Sequence, residues 1–534
     1  MPERIVLVGH GPVGSRFVDE LLPAVRSGAI ELTVVGAEAA DPYNRVLIAE
    51  YAVGQTERDD LGIADLGAAR AAGVRILSGT SVTAINRSRH TVALGTGDEL
   101  GYDRLVLATG ARANVPTLDG VTRVRRDRLK PPTDASTLDS TDAPLPRGVT
   151  VLRDLDDAHR VLGAVQAGQR IVVLGAGVLG MEIALAAARA GSEACVVYHG
   201  EIPMARNLDR GGGTVLATSA RNAGVAMVNH SRAESLLFTL DDDGVERFDA
   251  LVCADGKQIH GDLLLLSCGV GARSELASLA SLPVSTGILV DEELRSWGDP
   301  DIYAIGDCAH VAPRPEPGAL SGPPSGGPSG LIGPGWRQAD WLAARFTSEI
   351  TGVVDDLAAI EQRPALVMLK AEGVDVVAAG RIDAEPFDEA QLAGAHTHDC
   401  APVSVSQWAD PEHGRYLKMV TRSGILDGFV CVGLPRTAAE LTLLFERGSE
   451  LPADRSVLLR FDGPDYEPSA GGNAFAPEAT VCWCNGVTVG AIVESAEAGN
   501  TTIACISAAT RAGTGCGGCK GRIGEVLERF APVA

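Results

Sequence analysis

Over the first 110 residues, short apolar runs alternate with Ala-rich stretches of helical character. Ile5–Val8 reads as a strand, Val13–Leu22 as a helix and Glu31–Val35 as a second strand. The same strand, glycine loop and helix return at Ile171–Ala190, followed by a strand at Ala194–Tyr198. This internal echo predicts two doubly wound units built on parallel sheets. The apolar runs stay short, Leu263–Leu266 being typical, whereas a membrane-spanning helix needs roughly 18–20 apolar residues. The sequence also enters a glycine loop at once, with Asp19 and Glu20 close behind and no small-residue cleavage site. A cytoplasmic location is therefore expected.

Between the two echoes, Thr122–Arg147 carries Arg123, Arg125, Arg126, Arg128 and Lys130 and then turns Pro- and Ser-rich, as an exposed insert would. From Pro313 to Gly335, 14 of 23 residues are Gly or Pro, which disfavours regular structure. Residues 360–460 form a mixed segment that ends in a helical Ala438–Glu446. Asp462–Ala476 is a polar linker, and a compact module starts near Thr480.

Composition narrows the function. The 534 residues carry a formal net charge of −23, which speaks against a nucleic-acid surface. With 45% hydrophobic and 22% charged residues, cores can form. The 63 glycines suit an α/β protein that brings backbone close to ligands. Eleven cysteines in so long a chain do not suggest a disulfide scaffold.

The first glycine loop is Gly9-His10-Gly11-Pro12-Val13-Gly14. Gly9 suits the tight turn, Gly11 admits a pyrophosphate to the backbone, and Gly14 lets helix pack on strand. The helix start then offers free N–H groups and its dipole to phosphate. Glu38, after the second strand, is placed to take adenosine ribose hydroxyls. The second copy, Gly175-Ala176-Gly177-Val178-Leu179-Gly180, runs into Met181 and Glu182. Two dinucleotide sites in one chain suggest a flavin and a nicotinamide, because hydride transfer requires two partners. Tyr198-His199-Gly200-Glu201 offers no acid in the expected place, and Arg206 and Arg210 lie downstream, so NADH and NADPH both stay open.

Cys482-Trp483-Cys484 is followed, after 31 intervening residues, by Cys516-Gly517-Gly518-Cys519. Four thiolates so paired close either a tetrahedral zinc site or a [2Fe–2S] cluster. His396-Thr397-His398-Asp399-Cys400 also gathers ligand types, but in a polar stretch that reads as solvated. Cys308 reads as a small buried residue rather than a nucleophile.

Leu107-Ala108-Thr109-Gly110 and Ile302-Tyr303-Ala304-Ile305-Gly306-Asp307 resemble further fingerprints of the two-dinucleotide flavoprotein reductases. That resemblance implies FAD held by Gly9, Gly11, Pro12, Val13, Gly14, Glu38, Ala108, Thr109, Gly110, Gly306 and Asp307, the last at the ribityl and phosphate region. It implies that Pro42-Tyr43-Asn44-Arg45 faces the flavin, with Arg45 near the isoalloxazine, and that Leu331–Trp336, including Pro334, closes over it. Gly175, Gly177, Val178, Leu179, Gly180 and Glu182 would hold the nicotinamide nucleotide, with Arg45 and Glu182 nearest the reaction; Gly269 is counted with the cofactor-binding positions. Cys484-Asn485-Gly486-Val487-Thr488 and Ala509–Gly515 resemble bacterioferritin-associated ferredoxin modules, which implies a [2Fe–2S] cluster on Cys482, Cys484, Cys516 and Cys519.

In order and spacing the chain resembles the nitrite reductase large-subunit family in its assimilatory, NADH-using form, through Met204–Asp209, Leu369-Lys370 with Gly373–Val376, and Leu426–Gly433 as well. Tyr198 stands where that family carries a ribose-binding glutamate. Full family members continue past the ferredoxin module into a sirohaem domain, whereas this sequence stops at Ala534. The resemblance implies an electron-transfer (diaphorase) subunit that oxidises NADH or NADPH through FAD and [2Fe–2S]. It would feed a separate molybdenum nitrate reductase, or next a separate nitrite reductase. A free-standing ferredoxin or rubredoxin reductase and a non-catalytic redox sensor are the other readings. The expected fold is α/β: an FAD-binding domain (1–148 and 250–350), an NAD(P)H-binding domain (149–249), both Rossmann-like, a small α+β domain (360–460), a linker (462–478) and a small helical [2Fe–2S] module (479–534).

Overall fold

The computed structural model describes residues 2–121, 145–241, 243–314, 324–352, 366–371, 373–386, 403–463, 475–482, 486–514 and 519–530. The basic stretch at 123–130, residues 315–323 of the Pro/Gly insert, the His396–Cys400 group and most of the linker lie outside these residues.

The chain opens with β1 (Glu3–Val8), α1 (Pro12–Arg26) and β2 (Ile30–Val35), then a short α2 (Ile48–Ala52) and β3 (Arg104–Leu107). Ile5–Val8 is wholly buried, as expected of a parallel strand covered on both faces by helices. The second unit repeats the scheme with α3 (Leu155–Gln166), β4 (Ile171–Leu174), α4 (Val178–Arg189), β5 (Ala194–Val197), α5 (Arg210–Asn222) and β6 (Leu263–Leu266). Its five-stranded sheet runs Val225–Val228, β5, β4, β6, Val149–Thr150. A three-stranded antiparallel sheet spans Ala233–His260 before β6, so the chain leaves this unit after Leu266 rather than at residue 249. It then returns to the first sheet with β7 (Asp299–Ala304) and covers it with α6 (Ile332–Thr351). That sheet has eight strands, with β7, β3, β1 and β2 adjacent in that order.

The two units correspond in register. Val8 pairs with Val35 on one side and Leu107 on the other, while Leu174 pairs with Val197 and Leu266. Both glycine loops thus leave the carboxyl end of a central strand where strand order reverses, the usual ligand crevice of such sheets.

The third unit is a five-stranded antiparallel sheet from β8 (Leu366–Ala371), β9 (Val374–Gly380), β10 (Val403–Asp410), β11 (Arg415–Arg422) and β12 (Ile425–Val432), backed by α7 (Pro435–Arg447). It seats on α5, where a Cβ on Gly211 or Gly212 would run into Tyr416 or Val430. At that seam Lys418, fully buried, places its Nζ 3.2 Å from Asp209 and 3.3 Å from Glu385, and the Tyr416 hydroxyl also donates to Asp209. The C-terminal module packs α8 (Val489–Glu497), α9 (Ile503–Thr510) and α10 (Lys520–Phe530) around Ile492, Ile506 and Ile523. Among the described residues, no helix is long and apolar enough to cross a membrane.

Candidate active site

The two glycine loops are built alike. Gly9 and Gly175 have φ of +110° and +112°, and a Cβ there would collide with the carbonyl oxygens of Ala108 and Ser267 respectively. Gly11 and Gly177, in contrast, have open space where a Cβ would stand. Each is the N-cap of its helix, α1 and α4, and neither helix start has a side-chain cap. In the same second unit, Asp154 forms a capping box on α3 and Asp209 caps α5. Unfilled room beside bare N–H groups is what a pyrophosphate requires, so both cradles fit a dinucleotide.

Around the first cradle the expected segments converge. Gly306 and Gly335 both pack on Val13, the Gly306 N–H donates to Gln338 at 2.7 Å, and Trp336 donates to the Pro12 carbonyl at 3.2 Å. The start of α6, which also has no side-chain cap, thereby sits beside α1. Thr109 donates to the Arg273 carbonyl at 2.7 Å, tying the Ala108–Gly110 turn to the connection after Gly269. Burial holds the His10 imidazole down to about 4, so the loop presents a neutral ring at neutral pH.

Arg153 carries no motif and was not legible as a site residue. It donates to the Ala111 carbonyl at 2.9 Å and pairs with Asp307 at 3.3 Å, while its own carbonyl accepts Arg45 Nη1 at 2.6 Å. Arg45 also pairs with Glu38, which accepts the Tyr43 hydroxyl at 3.0 Å, and its guanidinium stacks 5.0 Å from the Tyr43 ring centre. Arg45 and Glu38, expected at opposite ends of FAD, are thus in direct contact here. Burial, and secondarily the charge of Arg45, lowers the Arg153 pKa from its ordinary value.

Across the seam between units, Glu182 of α4 and Glu50 of α2 line one narrow cavity with Val46, Ala49, Val53 and Gln55. Glu50 was missed because nothing local marks it; α2 meeting α4 brings it there. Tyr198 is buried, and among the described residues its hydroxyl has no hydrogen-bond partner. Arg210 is paired with Glu201 at 2.8 Å, and Arg206 is exposed. Cys308 is fully buried, its Sγ donating to the Leu107 carbonyl at 3.2 Å, and burial raises its pKa, as befits an inert thiol.

Of the four paired cysteines, Cys482 and Cys519 are buried in the module core, and Cys484 and Cys516 lie outside the described residues. The exposed Cys505, on α9, is a separate thiol. The module touches the first unit directly. Asn44 Nδ2 donates to the Thr514 carbonyl at 2.7 Å, and Arg511 donates to Glu20 of α1 at 2.7 Å.

Paired nucleotide cradles with segments converging on one of them define a flavin- and nicotinamide-dependent oxidoreductase. Residues 3–322 match the pyridine nucleotide-disulphide oxidoreductase family, and the chain belongs to it; residues 480–529 match the BFD-like [2Fe–2S] binding domain. It is an FAD-dependent NAD(P)H oxidoreductase that carries a [2Fe–2S] module. Over 98% of its length it is 27% identical to the nitrite reductase (NADH) large subunit of Escherichia coli, and 26% identical to the assimilatory nitrate reductase electron transfer subunit of Bacillus subtilis. It spans 55% and 59% of those two proteins. In fold it is similar to the crystal structure of the covalent putidaredoxin reductase–putidaredoxin complex, with a TM-score of 0.66 at 22% identity, covering 85% of this chain and 95% of that one.

Proposed function

We propose that this chain is the electron-transfer subunit of an assimilatory reductase. It takes electrons from NADH, or NADPH, at FAD and passes them through a [2Fe–2S] cluster to a separate catalytic protein. A molybdenum nitrate reductase is the first candidate for that protein and a separate nitrite reductase the second. The observation that supports the reading best is the contact between the cluster module and the flavin-facing turn, Asn44 to Thr514.

In this reading Gly9, Gly11 and Gly14 with the start of α1 hold the FAD pyrophosphate. Pro12, Val13, Ala108, Thr109, Gly110, Gly269, Gly306 and Pro334 shape its bed. Asp307 takes the ribityl and phosphate region, oriented by Arg153. Glu38 holds the adenosine ribose, and Arg45, anchored on the Arg153 carbonyl, closes the turn over the cofactor. Gly175, Gly177, Val178, Leu179 and Gly180 hold the nicotinamide nucleotide, with Glu182 at its reacting end. Cys482, Cys484, Cys516 and Cys519 ligate the cluster. When bound, the flavin accepts hydride, two electrons at once, and the cluster relays electrons singly. The protein's part is alignment and exclusion of water.

Anaerobic titration of the iron-reconstituted chain with NADH, followed optically and by electron paramagnetic resonance, tests the path. Flavin bleaching with a reduced [2Fe–2S] signal is expected. Adding a molybdenum nitrate reductase should then reoxidise both centres as nitrate is consumed. Rapid reduction of free ferredoxin or rubredoxin, with no response to either reductase, would instead favour a free-standing carrier reductase.

A further inference from the structure

Two of the module's contacts with the first unit come from a single turn. Helix α9 ends at Thr510, and Arg511 follows with φ +63°, a left-handed conformation in which glycine is the usual residue. An arginine here accepts backbone strain, and its side chain supplies what glycine lacks: Nη1 lies 2.7 Å from Glu20 Oε1. Three residues on, the Thr514 carbonyl accepts Asn44 Nδ2 at 2.7 Å. The turn is internally braced, since Thr514 Oγ1 donates to the Arg511 carbonyl at 2.8 Å.

The receiving side is equally fixed. Asn44 is 2% exposed, its Oδ1 accepts the Val46 N–H at 3.0 Å, and its own N–H donates to the Leu61 carbonyl at 2.7 Å. Its amide therefore has one orientation, with the donor end toward Thr514. Asn44 lies between Tyr43 and Arg45, and Thr514 lies two residues before Cys516. At the module's other end, Arg447 of α7 donates to the Glu478 carbonyl at 3.1 Å.

We infer that the Arg511–Thr514 turn is the docking element that seats the [2Fe–2S] module on the flavin side of its own chain, with Glu20 and Asn44 as its receptor. Glu20 and Arg511 are positioning residues for electron transfer inside the chain. This rests on the electron path proposed above. Each NAD(P)H delivers two electrons with its hydride. These leave as two single-electron transfers to a one-electron metalloprotein acceptor, and the flavin-bound hydrogen returns to solvent as a proton. While the module is seated, an external carrier meets the chain at the cluster rather than at Asn44.

The test uses the full-length chain loaded with FAD and cluster, comparing Arg511→Glu, Glu20→Arg, their combination, and Arg511→Gly. The last removes the ion pair while relieving the left-handed strain, so loss of fold does not obscure its result. After mixing with NADH, flavin bleaching should keep its rate in every variant. Cluster reduction should slow by about tenfold, equal to about 1.4 kcal/mol, in the three single variants and recover in the charge-reversed double variant. Independently of cofactor chemistry, hydrogen exchange in 40–48 and 505–514 should accelerate in the single variants and recover in the double. Unchanged cluster reduction and unchanged exchange in all variants would overturn the docking role, as would equal slowing of flavin bleaching. A fully loaded wild-type chain whose cluster never reduces would overturn the electron path instead.

Discussion

Arg45 donates a 2.6 Å hydrogen bond to the carbonyl oxygen of Arg153, so the Tyr43–Arg45 turn of the first unit is tied to the strand-to-helix entry of the second. The same Arg153 reaches back to Asp307 and Ala111. One residue thus fastens three segments that the sequence holds far apart, and its loss should be felt at the cofactor. Arg153→Ala removes a charge-assisted bond worth about 1.5–3 kcal/mol. The expected result is weaker FAD retention, by roughly tenfold or more, read by fluorescence during dialysis. Arg153→Lys should recover only part, because a point charge cannot serve both Ala111 and Asp307.

The glycine loops predict separable defects. Alanine at either strained position puts a Cβ against a carbonyl oxygen and incurs a backbone penalty of order 1–3 kcal/mol. Gly175→Ala should retain FAD while flavin reduction requires about ten times more NADH, whereas Gly9→Ala should lose FAD. Flavin content and the NADH dependence of bleaching separate the two.

At the seam of the second and third units, Lys418 is fully buried between Asp209 and Glu385. Lys418→Met leaves the nearly buried Asp209 carboxylate without its cation, a change that costs about 3–5 kcal/mol in comparable buried pairs. The melting temperature should fall, and pairing it with Asp209→Asn should restore much of the loss. Equal melting curves for wild type and Lys418→Met would contradict this.

Two titratable groups should tilt stability with pH in opposite directions. His10 has its folded pKa lowered to about 4 from 6.5, chiefly by burial, so its contribution is intact above pH 6.5 and is lost as pH falls toward 4. Asp157, in the capping box of α3, is raised to about 6 from 3.8, again chiefly by burial. Its contribution is full below 3.8 and disappears as pH rises through 6. Denaturant midpoints between pH 4 and 6.5 should therefore rise less steeply with pH in His10→Gln and more steeply in Asp157→Asn. Parallel curves for both variants and wild type would refute the assignment.

The glycine loops were legible because each is a local pattern: strand, turn and helix within about fifteen residues, repeated once with the same glycine spacing. The observed collisions at Gly9 and Gly175 explain why those positions are glycine. Residues whose role depends on distant partners were not legible. Arg153 has no neighbouring signature, Lys418 looks like any strand lysine, and Asn44 meets Thr514 across 470 residues. The antiparallel strands at 233–260 also escaped the reading, so the second unit was expected to end at 249 rather than to continue through β6. Alternation alone does not tell which of two adjacent sheets a strand joins.

The bare starts of α1 and α4 bear on how the protein matures. A helix end shaped for phosphate is incomplete until phosphate arrives, and a ligand at a thousand times its Kd adds about 4 kcal/mol to the folded state. The newly made chain should therefore depend on its dinucleotide for much of its resistance to proteolysis. Sulfate or pyrophosphate, as simple oxyanions, should protect part of the cofactor-free form by occupying the same amides.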